Sequence, residues 1–501
     1  MKSIKNKSFG ILVLIMLFIV SGCKKDLTDL NVNPNEPITT SPEYLFRYAL
    51  KQGICSYNSN VNLEQWGLMN WMMYFASRGG VEQGKEYVVP SGKDAFWQEQ
   101  YADALSNINE VCLMTNGKPE YANQYAAASI WRVFLFHRLT DLWGEIPYSE
   151  ALQGLSNLNY TPVYDKQELI YLNMLNELKN DEEMLDPSKS FFDASADLIC
   201  KGNISRWKMF ANALRLRLAT RIKDRLPSTY ASVVLDLSTK IMISSNEESI
   251  LFPFNSEKKN PVYEASFTGQ AVVQNNPSKF LVDMLVNTND PRTSILLDKS
   301  PMSVLPWIPP YKGVPNLLLT TDSAWSNYNL DGNWGDISRV GKWFLRNETP
   351  GVIISYSEVC FLKAEAALNG SLQGSAQQFF EDGVRANIHF YEVYGDSTYS
   401  VSDQTIDTYI QSLAPVSMEQ IINQKWISFA FSNGYEAYAE YRRTAFPKLK
   451  KYDGSEISEN DLPKRMIYPN SESTLNREHY LEAVSSQGAD NEFTPIWWDM
   501  Y

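Results

Sequence analysis

A stripe of apolar side chains with helical period constrains the fold of this chain more than any other feature. Between Ser205 and Lys223, the residues Trp207, Phe210, Ala211, Leu214, Leu218 and Ile222 fall at i, i+3, i+4, i+7, i+11 and i+15. That spacing is one face of an α-helix and matches no strand register. Arg215, Arg217 and Arg221 sit off the stripe. Related patterns run from Tyr44 to about Asp224. Glu64 to Arg78 carries Trp66, Met69, Trp71, Met72, Tyr74 and Phe75, apolar nearly all round, which predicts a buried helix. Phe96 to Met114 predicts another, broken by Asn116-Gly117 and Pro119; Tyr125 to Leu142 is apolar on most faces, and Gln167 to Leu185 is amphipathic. Helices in pairs joined by short breaks suggest a helical-repeat scaffold, although no strict tetratricopeptide repeat of about 34 residues can be read off.

From about Ile250 to Pro350 the pattern changes. Prolines and asparagines cluster, helical periodicity is lost, and aromatics stand in polar settings: Tyr263, Trp307, Tyr311, Trp325, Tyr328 and Trp334. Such long stretches are usually functional or insertional. Helices resume at Ser355, which forms a capping box with Glu358 before Val359, Leu362 and Ala366. Ser417 with Gln420 caps a further helix, and Asn433-Gly434 precedes a short one holding Tyr435 to Arg443.

The N-terminus is organised around Cys23. Lys2, Lys5 and Lys7 precede an apolar run from Ile11 to Val20, closed by Ser21-Gly22-Cys23. A run this short cannot span a hydrocarbon core that needs about 20 residues, so it reads as a signal peptide over 1–22. Cysteine directly after small residues matches a bacterial lipoprotein box, in which the thiol is acylated; ordinary secretion with an incidental cysteine is the alternative. Residues 23–43, punctuated by Pro34, Pro37 and Pro42, form a lipidated tether, and 44–501 form the body. Its helical scaffold covers about 44–250 and 351–450, and its loop-rich lobe about 251–350 and 451–501. Removing three lysines with the signal takes the formal charge from −13 to −16. A surface this acidic argues against nucleic acid and against peripheral binding to anionic lipid, which leaves attachment to the acyl chains.

Cys55, Cys112, Cys200 and Cys360 are too scattered for a disulfide framework, and Cys112 and Cys360 lie in apolar helical stretches that favour buried thiols. His137, His389 and His479 are isolated, and no ligand spacing supports zinc. No cofactor pattern is present: there is no P-loop, no Rossmann glycine series and no G-x-S-x-G elbow.

Several segments resemble the SusD/RagB-type outer-membrane lipoproteins, in the branch of SusD-like nutrient-binding lipoproteins. The lipobox is followed by Asp29-Leu30-Asn31-Val32-Asn33-Pro34-Asn35, then by Leu139-Thr140-Asp141-Leu142-Trp143-Gly144-Glu145-Ile146-Pro147-Tyr148. Trp207-Lys208-Met209-Phe210-Ala211-Asn212, Asn289-Asp290-Pro291-Arg292 and Phe361-Leu362-Lys363-Ala364-Glu365-Ala366 continue the likeness. Gln424-Lys425-Trp426, Tyr441-Arg442-Arg443-Thr444 and the closing Trp497-Trp498-Asp499 complete it. The resemblance implies a mainly α fold, a tetratricopeptide-like helix-pair scaffold with a loop-rich second lobe. It implies a TonB-dependent SusC-like barrel transporter as partner, over which the lipoprotein sits as a hinged lid. The ligand it implies is an oligosaccharide or a peptide, passed into the barrel without chemistry.

A saccharide site needs flat rings for the apolar sugar face and amides for the hydroxyls. Trp325, Asn327 and Tyr328, with Asn333 and Trp334, place both in one polar loop, and Trp307 and Tyr311 are the next candidates. The alternative is that these rings plug the lobe onto the helices. Trp66, Trp71, Trp131, Trp207 and Trp426 lie in helical patterns and are expected in the core. Asn327-x-Asn329-x-Asp331-Gly332 is similar to half an EF-hand loop, but Ser338 stands where a bidentate Glu is required, so it reads as a turn. Glu436 and Glu440, four apart, could serve a surface glycosidase or peptidase on a helical scaffold. Arg442 and Arg443 follow at once, which favours salt-bridged structural carboxylates and a non-catalytic protein. A structural adaptor without a ligand is a third reading.

Overall fold

The computed structural model describes residues 40–77, 87, 89–154, 157–268, 275–319, 321, 336–458 and 461–500. Cys23 and the segment 1–39 around it lie outside those residues, as do Trp325, Asn327, Tyr328, Asn329, Asp331, Asn333 and Trp334. The chain is mainly helical. Its scaffold runs through α1 (Pro42–Ile54), α2 (Ser106–Thr115), α3 (Ala122–Trp143), α4 (Gln167–Met184), α5 (Ile204–Arg221) and α6 (Pro227–Leu237). It resumes with α7 (Tyr356–Leu368), α8 (Ala376–Val393), α9 (Asp403–Ser412), α10 (Met418–Ser428) and α11 (Gly434–Thr444). Successive helices pack against each other, α3 on α2 and α4, α5 on α4 and α6, and α7 on α8. No helix among the described residues is long and apolar enough to cross a membrane.

The expected stripe of α5 is buried along its length, and the helix starts where Asn203 accepts the Arg206 N–H. Rings from α1, α3 and α5 form the centre of this core: Phe46 lies 5.8 Å from Trp207, and Trp131 lies 5.0 Å from Phe134. The arginines off the stripe are buried too, because α5 is covered on both sides. Arg217 forks onto Glu358 of α7, with Nε and NH2 donating to its two oxygens at 2.7 and 2.8 Å. Arg221 donates to Glu440 at 2.7 Å and pairs with Glu436, while Asp141 of α3 stands 3.4 Å from its Nε. Arg443 of α11 joins Glu365 to Glu440, 2.7 Å from each. Burial acts to push these carboxyls up, yet the surrounding guanidinium groups win and hold Glu436 and Glu440 below the usual range. This pair is therefore a structural tie across four helices.

Ser355 caps α7 by accepting the Glu358 N–H at 3.2 Å, but the reciprocal half of the expected box is missing because Glu358 is committed to Arg217. Gly144 ends α3 at φ +84°, and a Cβ there would lie 1.7 Å from Gln487 Oε1. Only glycine fits both demands. The same Gln487 then accepts the Glu145 N–H at 2.8 Å and donates to the Trp143 carbonyl. The Leu139 to Glu145 segment is thus a helix end locked by side chains far along the chain. Trp71, Trp131, Trp207 and Trp426 are in the core as expected, whereas Trp66 is 36% exposed and meets Tyr57 edge-on.

Three expectations about the elements are corrected. Glu64 to Arg78 is not one buried α-helix: a π-helix, Asn58–Leu68, leads into a single helical turn, Met69–Trp71, and then into strand β1, Phe75–Ser77. A second π-helical stretch, Gln100–Leu105, interrupts the helix expected from Phe96. The region 250–350 also carries elements. β2 (Ile250–Phe252) pairs antiparallel with β6 (Gly351–Ile354), β1 with β3 (Asn275–Pro277), and β4 (Leu297–Asp298) with β5 (Arg339–Val340). A helix, Lys279–Asn287, buries Leu281, Val282 and Leu285 beneath an N-cap in which Ser278 accepts the Leu281 N–H. The prolines and asparagines around it mask its apolar face in a window average.

Arg292 rivets this lobe to the scaffold. It is fully buried, pairs with Asp290, and donates to Asn387 of α8 at 2.8 Å and to Gln424 of α10 at 2.6 Å. Tyr409 of α9 donates to Asp290 at 2.6 Å. Trp498 likewise is buried, reaching Asp141 at 3.1 Å. These segments, which carry the family resemblance, are structural.

Candidate functional site

The π-helix is the wall of a cavity of about 530 Å³ between scaffold and lobe. A π-helix bonds i to i+5, so residues five apart stack along one face. Asn60 with Gln65 and Glu64 with Met69 form two such rows, and all four line the cavity. Beyond the helical turn β1 contributes Phe75, while Asn276 of β3, opposite Ala76, comes from the lobe. The turn between α10 and α11 supplies Phe431 and Ser432; Phe254, Asn260, Phe344 and Thr349 complete the inner surface.

Phe431 has φ +58°, a left-handed conformation that costs a non-glycine residue about 1–2 kcal/mol. The strained backbone places its ring 4.9 Å from Phe75 and 5.4 Å from Phe344, so three rings form one apolar wall. Observed strain of this kind clusters at ligand sites. Opposite charges stand at the rim: Asp298 and Arg339 face each other across the β4–β5 pair, with Lys342 beside them. Both Arg339 and Lys342 are exposed.

Glu64 stands where the cavity meets a polar chamber of about 50 Å³ that His137, Arg138, Asp141 and Glu436 help to line. That volume has room for one or two waters. Glu64 accepts the Gly434 N–H at 2.8 Å. Burial pushes its carboxyl up to about 7, against the pull of Arg138 and the N–H groups of Gly434 and Tyr435. Arg138 itself is held by the Gly53 carbonyl at 2.9 Å and lies 4.0 Å over the Tyr435 ring. Among the described residues no group of three or more His, Cys, Asp and Glu side chains is placed to hold a metal ion.

Two residues expected at a ligand site from the sequence can be located. Trp307 is 73% exposed and Tyr311 half-buried against the core, and neither lines the cavity. The other five lie outside the described residues. The cavity instead takes Glu64, Gln65, Phe75 and Phe431, which no motif in the sequence marks. The adjacent polar pair Glu64-Gln65, set against an apolar run, was the available signal.

A family model described as SusD-like, starch-binding and associating with the outer membrane, matches residues 34–469. Among solved structures, a chitin-binding protein is 30% identical with a TM-score of 0.80, covering 92% of this chain and 100% of its own. A chitin-binding SusD homologue from Flavobacterium johnsoniae is 25% identical at TM-score 0.72, covering 92% of this chain and 98% of its own. A SusD homologue from Bacteroides uniformis shares the fold at 24% identity and TM-score 0.74, with 92% and 99% covered. No curated protein matches the chain.

Proposed function

Since the chain belongs to the SusD-like family of starch-binding proteins that associate with the outer membrane, we propose that it captures a glycan at the cell surface and delivers it to a TonB-dependent SusC-like transporter. The observation that carries this reading is the cavity itself. It joins an apolar wall of Phe75, Phe344 and Phe431 to amides from Asn60 and Gln65, the combination that sugar rings require. Trp325, Tyr328 and Trp334, with Asn327 and Asn333, extend the binding surface; Arg339, on the cavity wall, lies five residues beyond Trp334 in the chain. Trp307, exposed on the same lobe, offers a further ring. Cys23 carries the acyl chains, residues 1–22 are removed, and 23–43 tether the body to the outer leaflet. Two solved relatives are described as chitin-binding, which supports a glycan over a peptide.

Turnover distinguishes this function from a surface glycosidase or peptidase. Calorimetry of the purified protein with maltoheptaose, chitooligosaccharides and peptides is expected to give saturable binding with glycans, and chromatography of the mixtures no products. Products would overturn the reading. Binding to peptides alone would replace the glycan with a peptide. Trp325→Ala with Trp334→Ala is expected to weaken binding while leaving the melting temperature nearly unchanged, and mass spectrometry of native material should show Cys23 acylated.

A further inference from the structure

α1 has two unlike faces. Phe46, Ala49, Leu50, Gly53 and Ile54 are buried in the scaffold, and the residues left exposed are Tyr44, Arg47, Tyr48 and Lys51. These stand at i, i+3, i+4 and i+7, so they form one stripe along the helix. Tyr44 is 73% exposed and Tyr48 42%. None of the four is acidic, in a chain whose formal charge is −13. Among the described residues neither cation of the stripe pairs with a carboxylate: Arg47 donates to the Ser195 carbonyl, and Glu43 in the first turn accepts the Asp193 N–H at 2.9 Å. Lys258, in the loop after β2, brings a third cation. Its ammonium lies 4.0 Å over the Phe252 ring, and burial, then the charges of Lys51 and Arg47, hold it down to about 8. Like charges gathered this way favour an anion among them.

The place of α1 in the chain says which anion. The helix begins at Pro42, so residues 24–41 alone separate it from Cys23. A coil of that length has a root-mean-square span of about 25 Å. We propose that the α1 stripe is the surface on which the body rests against the outer leaflet, with Tyr44 and Tyr48 at headgroup depth and Arg47, Lys51 and Lys258 against lipid phosphates. This inference rests on the reading of Cys23 as the acylated residue. Tyrosine suits that depth because its ring is apolar and its hydroxyl stays wet. The negative charge of the whole body argues against its binding such a surface unaided. Acylation removes that requirement, since the second contact is then intramolecular and a weak patch suffices. The acyl group holds the protein, and the stripe sets which side faces the membrane.

The test uses the full acylated protein in vesicles of phosphatidylglycerol and phosphatidylcholine in equal parts. The photoreactive analogue p-benzoylphenylalanine replaces Tyr44, Tyr48 or Leu475 in turn, the last a residue 76% exposed outside the stripe. After irradiation, mass spectrometry reads the lipid adducts. Positions 44 and 48 are expected to give about threefold more adduct than 475, or better, and to lose much of the excess in about 1 M salt. Arg47→Gln, Lys51→Gln and Lys258→Gln together are expected to bring 44 and 48 down to the level of 475, with sedimentation on vesicles unchanged. Protein that sediments with the vesicles yet gives equal adducts at all three positions would overturn the α1 inference and leave the lipid anchor standing. An unacylated Cys23 in a chain that does not sediment would overturn both. Adducts from 44 and 48 to protein and not to lipid, in intact cells, would overturn the membrane as occupant and put a protein partner in its place.

Discussion

Glu64→Gln should change the pH dependence of stability in a defined direction. Burial, the dominant cause, pushes the carboxyl up to about 7 in the folded protein from the ordinary 4.5 of a glutamate in an unfolded chain. A raised acid binds its proton more tightly when folded. Its penalty is therefore absent below pH 4.5, grows as pH rises toward 7, and is constant above. At about 1.4 kcal/mol per pH unit, the displacement corresponds to about 3 kcal/mol lost across that window. The amide that replaces the carboxyl does not titrate, and its oxygen can still accept the Gly434 N–H. Urea unfolding followed by tryptophan fluorescence at about pH 4.5, 6, 7 and 8.5 should show the variant and the unmodified protein nearly equal in acid. The variant should then gain by about 3 kcal/mol and level off above neutrality. A stability difference independent of pH would refute the reasoning. So would a gain by the unmodified protein above neutral pH, which would mean that Arg138 holds the carboxylate ionised.

Arg221→Met leaves Glu436, Glu440 and Asp141 buried without their shared cation, and thermal unfolding should register a loss of about 3–5 kcal/mol. Gly341→Ala brings a Cβ within 1.9 Å of the Ile295 carbonyl oxygen, so the β4–β5 edge must open; about 2 kcal/mol or more of stability should be lost, together with ligand affinity. The thiols of Cys112 and Cys360 are buried and pushed up to about 11 and 12, and Cys200 is raised as well. At about pH 8 these three should resist thiol reagents in the native protein and react in denaturant, with half-buried Cys55 modified first.

Hydrophobic period carried the scaffold from sequence to structure. The stripe from Trp207 to Ile222, the Ser417 cap and the buried Cys112 and Cys360 agree with that period, and Ser355 caps its helix without the reciprocal half of the box. Period could not show that Asn58–Leu68 winds as a π-helix, because the widening depends on what packs around it. It also placed Trp66 in the core, where the broader turn instead carries its ring to the surface. In the lobe, the β1–β3 ladder sets Phe75 opposite Pro277, a separation along the chain at which local pattern carries no information. The cavity is harder still to read. Its walls come from positions between 60 and 432, and nothing local in the sequence says that residues so far apart meet around one hollow.

The charge knot around α5 also bears on how the chain assembles. Arg217 and Arg221 find their glutamates at 358, 436 and 440, more than half-way along the protein. A chain that has reached only α6 lacks the α7 and α11 surfaces that cover Arg217 and Arg221, so both guanidinium groups stay in water and that face of α5 stays open. Closure waits for the C-terminal helices. A stop before α11 leaves Arg221 without Glu436 and Glu440 and that face of α5 uncovered.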